Sequence, residues 1–370
     1  MEIMTLTNCS TQISEIQSFP GYINDFISWI DRGTKTTRTY LTNLRQFLAW
    51  MRYSGIQSPN RQDVINYREW LSSEHDAIIA TVDGWQFRTD AAGNQIQVTC
   101  KPYTVKQYLQ SVRQFFKWLG DFGYYPNVAS NVHTPRIKGG EHKKDALTPK
   151  EVYTIEKSII TQAETKTANA ATNYKDSAGR VQRSTEQGKR LFAMYLLAVN
   201  AGLRTVEISR ANIKDIETKS GKTYIYIWGK GCSGPEQKKV LTPEVVNALY
   251  DYINVRSDCP TQNSPLFVST GNRSRGKRIA TTTISTMLKQ AMKEAGFNSE
   301  RLTAHSLRHS TGTAIMSLTG DIYIAQKYMR HSSPATTEIY IHETEAAEQE
   351  SAALAQGLYD LFHNKTKEKE

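Results

Sequence analysis

The chain has 370 residues, 39% of them hydrophobic, and a formal net charge of +10. That length exceeds one ordinary domain and fits two with real cores, while the cationic excess suits a polyanionic partner without naming a function. No apolar run approaches the roughly 18 to 20 residues of a membrane span, the opening MEIMTLTNCSTQ lacks a basic-then-apolar leader, and cysteines at 9, 100, 232 and 259 stand in no paired or zinc-binding spacing, which together predict a cytoplasmic protein with reduced thiols.

After a polar tail over 1–14, apolar residues at helical spacing predict helices in PGYINDFISWIDRG and TTRTYLTNLRQFLAWMRYSG, the second carrying Tyr40, Leu41, Leu44, Phe47, Leu48 and Met51 as its stripe. RQDVINYREWLSS and KPYTVKQYLQSVRQFFKWLGDFG read the same way, so 15–133 is predicted to be a bundle of four or five helices. Between these two, GWQFRTDAAGNQIQVT alternates on both sides of a Gly-Asn turn, which predicts a hairpin inserted near 82–99. NVHTPRIKGGEHKKDALTPKE, with prolines, a Gly-Gly pair and several basic residues, lacks apolar periodicity and holds a linker over 134–147.

A second domain, over 148–345, opens at Thr148, where T-P-K-E supplies an N-cap, a proline at the first helical position and a glutamate at the third. Thr161 to Gln187 is almost without large apolar residues and reads as an exposed insertion or loop. Then KRLFAMYLLAVNAG reads as a helix, KTYIYIWGKG as a strand, TPEVVNALYDYINVR as a helix and PLFVST as a short strand, and three helix-like stretches run from Ile279 to the end of ATTEIYIH. The expected fold class is mainly α with a small β-sheet.

The stretch AHSLRHSTGT sets His305 and His309 four residues apart on one helical face, a spacing that can share a zinc ion. The protease form of that motif needs a glutamate directly after the first histidine, where this chain has Ser306. Arg308, one turn away, would repel a divalent cation. Other boxes point to an anion instead. AGLRTVEIS places Arg204 and Glu207 one turn apart, WGKG puts Lys230 at the end of a predicted strand, and YMRHSSPATTEIYIH has His331 nine positions before Tyr340. Two arginine forks can surround a phosphorane whose negative charge grows in the transition state. A tyrosine hydroxyl becomes a nucleophile when a base such as His305 removes its proton, and a lysine on a turn can protonate the leaving sugar oxygen.

In their order and spacing these boxes resemble the catalytic domain of the tyrosine recombinase (phage integrase) family. The family pattern is an arginine with an acidic residue three later, a lysine in a β-turn, H-x-x-R, and a histidine nine before the nucleophilic tyrosine. It falls here on Arg204 with Glu207, Lys230, His305 with Arg308, and His331 with Tyr340. The bundle over 15–133 is similar, more loosely, to the family's core-binding domain. The resemblance implies a site-specific DNA recombinase that forms a 3′-phosphotyrosyl bond and releases a 5′-hydroxyl, with no ATP, metal or other cofactor. It further implies a homotetramer on synapsed double-stranded DNA core sites, with the two domains forming a clamp, no membrane partner, and room for accessory DNA-bending or directionality proteins.

Within the class, an integrase serving integration and excision of a mobile element is the expectation, and a Xer-type chromosome or plasmid resolvase the runner-up. The additions near 75–100 and 161–187 lean away from compact Xer-type proteins, and the 15 or so residues before the first helix are too few for an arm-site-binding domain. A type IB topoisomerase would share the chemistry without synapsis; a silent DNA-binding protein would need only the charge. Two departures from the family pattern stand out. The turn GKGCSGPEQKKV is long, so Lys238 and Lys239 compete with Lys230 for the acid's role, and Arg330 stands where the family usually has glycine, leaving open a phosphate contact or a solvated side chain. His309 is expected to pack inside the domain. In the tail over 346–370, Leu354, Leu358, Leu361 and Phe362 form a helical stripe that can cover its own domain or dock on a neighbouring protomer.

Overall fold

The structure is a computed structural model and describes residues 16–30, 33–81, 84–136, 146–172, 177–228, 234–271 and 273–330. The chain divides into two compact units, Met1–His142 and Lys143–Glu370. Among the described residues no helix is long and apolar enough to cross a membrane.

The first unit is a helical bundle of α1 (Phe19–Trp29), α2 (Thr34–Tyr53), α3 (Arg61–Ser72) and α4 (Pro102–Asp121). Asn60 starts α3 with a reciprocal cap: its Oδ1 accepts from Gln62 N at 2.7 Å, and Asp63 Oδ2 accepts from Asn60 N at 2.8 Å. The stripes of these helices meet in a core rich in rings. Phe47 sits edge-on to Tyr67 at 4.9 Å between centroids, and Phe115 and Phe116 pack against Phe19 at 6.1 Å each. Such offset ring pairs add about 0.5 to 1.5 kcal/mol each beyond area burial. Between α3 and α4 lie two short antiparallel ladders, β1 (His75–Asp76) with β4 (Gln97–Val98) and β2 (Ile78–Ala80) with β3 (Trp85–Phe87). The insertion thus begins at His75, earlier than alternation around the Gly-Asn turn alone locates it. At its tip Asp90 Oδ1 accepts from Ala92 N at 2.8 Å and Asn94 N at 2.9 Å, and Gly93 takes φ +89°, a value glycine adopts without a Cβ clash.

The second unit opens on α5 (Pro149–Ala171), where the reciprocal cap legible in T-P-K-E is formed: Glu151 Oε2 accepts from Thr148 N at 2.7 Å and Thr148 Oγ1 from Glu151 N at 3.3 Å. α5 pairs with α6 (Ser177–Val199), and these two helices occupy most of the stretch read from sequence as a loop. The correction has a physical cause. Helices can pack through small residues, and a Cβ placed on Gly188 would lie only 2.6 Å from the Cβ of Ala163. There follow α7 (Thr205–Arg210), the antiparallel sheet β5 (Ile216–Lys219), β6 (Lys222–Trp228) and β7 (Pro235–Leu241), then α8 (Pro243–Val255), α9 (Thr281–Glu294), α10 (Ala304–Thr319) and α11 (Ile322–Met329). PLFVST is not a regular strand. It makes isolated bridges, Asn212 with Pro265 and Val268 with Arg278, and its backbone is satisfied piecemeal, as by Leu266 N to Ala211 O at 2.8 Å. The core joins the apolar face of α6 to Leu249, Phe267, Leu288 and Leu307. Both units together are mainly helical with small sheets, as the periodicities predict.

Candidate active site

The site begins where α6 ends. Leu203 N donates back to Leu197 O at 3.0 Å, and Gly202 turns the chain with φ +60°; a Cβ there would meet Met329 Sδ at 3.2 Å. This tight turn presents Arg204 at the N-cap of α7. Glu207, one turn on, is buried and folds back on it, its carboxylate accepting from Arg204 N at 2.8 Å and from Arg204 Nη1 at 2.9 Å.

Arg308 approaches from α10. It is the largest side chain among the fully buried ones, 1% exposed, and donates through Nη1 to Gly202 O and through Nη2 to Met329 O. Two carbonyls from distant segments therefore fix the plane of its guanidinium beside the turn that carries Arg204. α10 itself is held by hydroxyls: Thr311 Oγ1 donates to Val199 O at 2.6 Å, and Ser310 Oγ accepts from Leu147 N at 2.7 Å.

Arg330 arrives from the end of α11. It occupies the C-terminal cap in the left-handed region, φ +54°, where glycine is usual and an L side chain costs roughly 1 to 2 kcal/mol. Its guanidinium is not in solvent. The side chain is 7% exposed, and Nη2 donates to Glu207 Oε2 at 2.7 Å. Glu207 thus bridges two arginines. Burial opposes its ionisation, but the charge of Arg330 and the backbone N–H and guanidinium of Arg204 hold its carboxyl below the ordinary glutamate range.

On β7 the alternation of the strand separates the two competing lysines. Lys238 is exposed, its ammonium 4.7 Å from the Tyr224 ring centroid, whereas Lys239 is buried and donates from Nζ to Tyr328 O at 2.8 Å. Burial first, then the charges of Arg330 and Arg308, push the Lys239 ammonium down to about 6 against partial opposition from Glu207. Tyr328 Oη is engaged elsewhere, donating to Asn200 O at 2.6 Å, and burial pushes its phenol up.

Of the residues singled out in the sequence, Arg204, Glu207 and Arg308 are brought together. His305 lies exposed in the first turn of α10, whereas His309, four residues on, is buried with Nδ1 3.5 Å from Thr313 Oγ1, as expected for a packed residue. Lys230, His331, Tyr340 and the tail over 346–370 lie outside the described residues. Sequence reasoning left Arg330 undecided and missed its ion pair with Glu207, because that contact spans 123 positions and no local spacing encodes it. The inward turn of Lys239 depends on the β6–β7 register, which shifts between Ile227 and Trp228.

Three guanidinium groups, one lysine and a single carboxylate thus converge from four separate elements. The model of the phage integrase family matches residues 158–347, and the chain belongs to this family, the tyrosine recombinases, which are DNA strand-transferring enzymes acting in site-specific recombination. Similar proteins include a tyrosine recombinase of Synechococcus elongatus, 24% identical over 84% of this chain and 85% of its own length. Another is the tyrosine recombinase XerC of Yersinia pestis, 26% identical over 80% and 89%. Among solved structures, the XerH site-specific recombinase in a post-cleavage complex with a palindromic difH substrate superposes with a TM-score of 0.61 at 19% identity, over 88% of this chain and 81% of that one. The lambda integrase dimer bound to a COC′ core site gives 0.56 at 15%, over 87% and 76%. At these identities the two structures speak to the fold.

Proposed function

We propose that the chain cuts and rejoins double-stranded DNA core sites through a 3′-phosphotyrosyl bond to Tyr340, in the service of integration and excision of a mobile element. The supporting observation is the convergence of Arg308 on the Arg204–Glu207 turn, with both carbonyl anchors of its guanidinium supplied by other segments. Donors held in place before the reaction stabilise developing charge without reorganising, which makes them worth more than the same groups free in water.

In this reading the Tyr340 oxygen attacks phosphorus, the bond to the 5′-oxygen breaks, and a lysine returns a proton to that oxygen. His305 takes the tyrosine proton, His331 contacts the phosphate, Arg204 and Arg308 clamp the non-bridging oxygens, and Glu207 orients Arg204. Lys230 is the proposed acid; Lys239 is the described alternative, because its nitrogen lies in the arginine cluster. The phosphodiester is conserved as a protein ester, so the cycle calls for neither ATP nor a metal ion. The assembly proposed is a homotetramer on two sites, the two domains of each chain (15–133 and 148–345, joined by the linker over 134–147) clamping the duplex and the stripe over 346–370 docking on a neighbour. Its compartment is the cytoplasm.

A pool of nicked random duplexes, whose cleaved fragment diffuses away, tests the chemistry and yields the site. The expected result is a detergent-stable adduct with the wild-type chain and none with Tyr340→Phe. Absence of an adduct with the wild type would sink the reading. The Xer names among the relatives favour a resolvase as the second reading. Recovered sites that flank the gene would support the mobile element, and a single chromosomal or plasmid site the resolvase.

A further inference from the structure

Arg330 is the residue at which several costs meet. Its backbone is left-handed, its guanidinium is buried, and among the described residues neither Nε nor Nη1 has an acceptor. An unpaired guanidinium N–H away from water forfeits the hydrogen bonds it would make in solution, and glycine at this position would carry no such burden. The single ion pair to Glu207 occupies only Nη2. The remaining donors lie within the field of Arg204 and next to Lys239, whose ammonium Arg330 disfavours more than any other charged group does.

We infer that Arg330 is a third phosphate-binding arginine of this site, donating through Nε and Nη1 to a non-bridging oxygen of the scissile phosphodiester while Nη2 holds Glu207. This rests on the reading of the site as a tyrosine recombinase centre and adds to it a residue the family pattern does not supply. The charges agree. Arg204, Arg308 and Arg330 against Glu207 leave an excess of two positive charges among these groups. A phenolate attacking a phosphodiester monoanion brings together two negative ones. Without Arg330 the same groups leave an excess of one.

The test uses the full chain and a duplex recovered by the adduct selection, prepared with either an ordinary scissile phosphodiester or a methylphosphonate, in which one charged non-bridging oxygen is replaced by a methyl group. Arg330→Gly, which suits the left-handed backbone, should slow adduct formation on the phosphodiester by about a hundredfold, the effect typical of removing one preorganised donor. On the methylphosphonate the same variant should fall to within a few-fold of the wild type, because the charge it served is gone. Arg330→Lys keeps a cation for Glu207 but lacks the fork, so it should show a smaller deficit with the same relief, and it carries the test if the glycine variant does not fold. Wild-type rates for both variants on the phosphodiester would overturn the inference. So would an equal deficit on both substrates, which would make Arg330 a strut for Glu207 alone. If the wild-type chain forms no adduct, the function reading itself fails, an outcome separate from either of these.

Discussion

The two units handle polarity in opposite ways. The core of the first unit is built from rings and aliphatic chains, and where it buries polar side chains they are uncharged partners such as Asn43, whose Nδ2 donates across from α2 to Ser111 Oγ on α4 at 2.9 Å. The second unit buries Glu207, Lys239 and Arg308 together beside its α10–α6 packing, and elsewhere buries Glu186, Arg190 and Arg256. Burying charge is expensive, and replacing a buried ion pair by apolar residues is often neutral or stabilising. A unit whose only task were to fold would resemble the first. In the proposed function the Arg204–Glu207–Arg330 cluster offsets that cost by what it does to a substrate, whereas the aromatic core needs no reason beyond stability.

If that contrast is right, mutations should divide by readout. Phe116, fully buried and ringed by Phe19, Phe47, Phe115 and Tyr125, has no polar function to lose. Phe116→Ala should lower unfolding stability by about 3 to 5 kcal/mol through cavity formation, read as a shift of the urea midpoint. The per-molecule rate of adduct formation by the folded fraction should stay near wild type. Arg308→Ala should do the reverse, slowing adduct formation by about a hundred- to a thousandfold. Its removal also leaves Gly202 O and Met329 O without their donor, so some stability is lost as well. An Arg308→Ala chain that unfolds readily yet cleaves normally once folded would erase the distinction between the units.

The same contrast explains what the sequence made legible. The first unit announces itself by period: Leu44, Phe47, Leu48 and Met51 fall on one helical face and are all buried. Arg204 and Glu207 are legible because their partnership is one helical turn long. Two regions escaped. α5 and α6 carry few large apolar residues between 161 and 187, and contact through Ala163 and Gly188 is invisible to a search for hydrophobic stripes. Arg330 and Lys239 escaped because their surroundings come from segments far away along the chain, Glu207 for one and Tyr328 for the other.

Lys239 offers a sharper measure, since its titration is linked to folding. The folded-state value is depressed to about 6 from the ordinary 10.5, so between these limits the unfolded chain binds a proton that the folded chain does not. Stability therefore rises with pH across that window, and is penalised fully below it. The groups facing the amine are Arg330, Arg308 and Glu207, with Tyr328 O as its hydrogen-bond acceptor. Lys239→Met removes the proton, and the difference in stability between variant and wild type should narrow as pH rises from 7 to 8, by at most about 1.4 kcal/mol. Parallel profiles would mean that the lysine is protonated in the folded protein, and the site would carry one more cation than the neutral amine allows.

The smallest effect concerns Tyr328, whose carbonyl and ring both meet Lys239. A nucleophilic phenol must give up its proton readily and leave its oxygen pointing at phosphorus. Tyr328 does neither: burial raises its pKa, and its hydroxyl is committed to Asn200 O at 2.6 Å. The ring instead supports Lys239, whose nitrogen lies against its face. Tyr328→Phe keeps that face and deletes one hydrogen bond, a net loss of about 0.5 to 1.5 kcal/mol. Thermal unfolding should show this modest loss while the DNA adduct forms as in the wild type. Disappearance of the adduct in this variant, with Tyr340→Phe still active, would move the nucleophile from the end of the chain into the buried cluster, and the division between a substrate-facing site and its supporting packing would have to be redrawn at Tyr328.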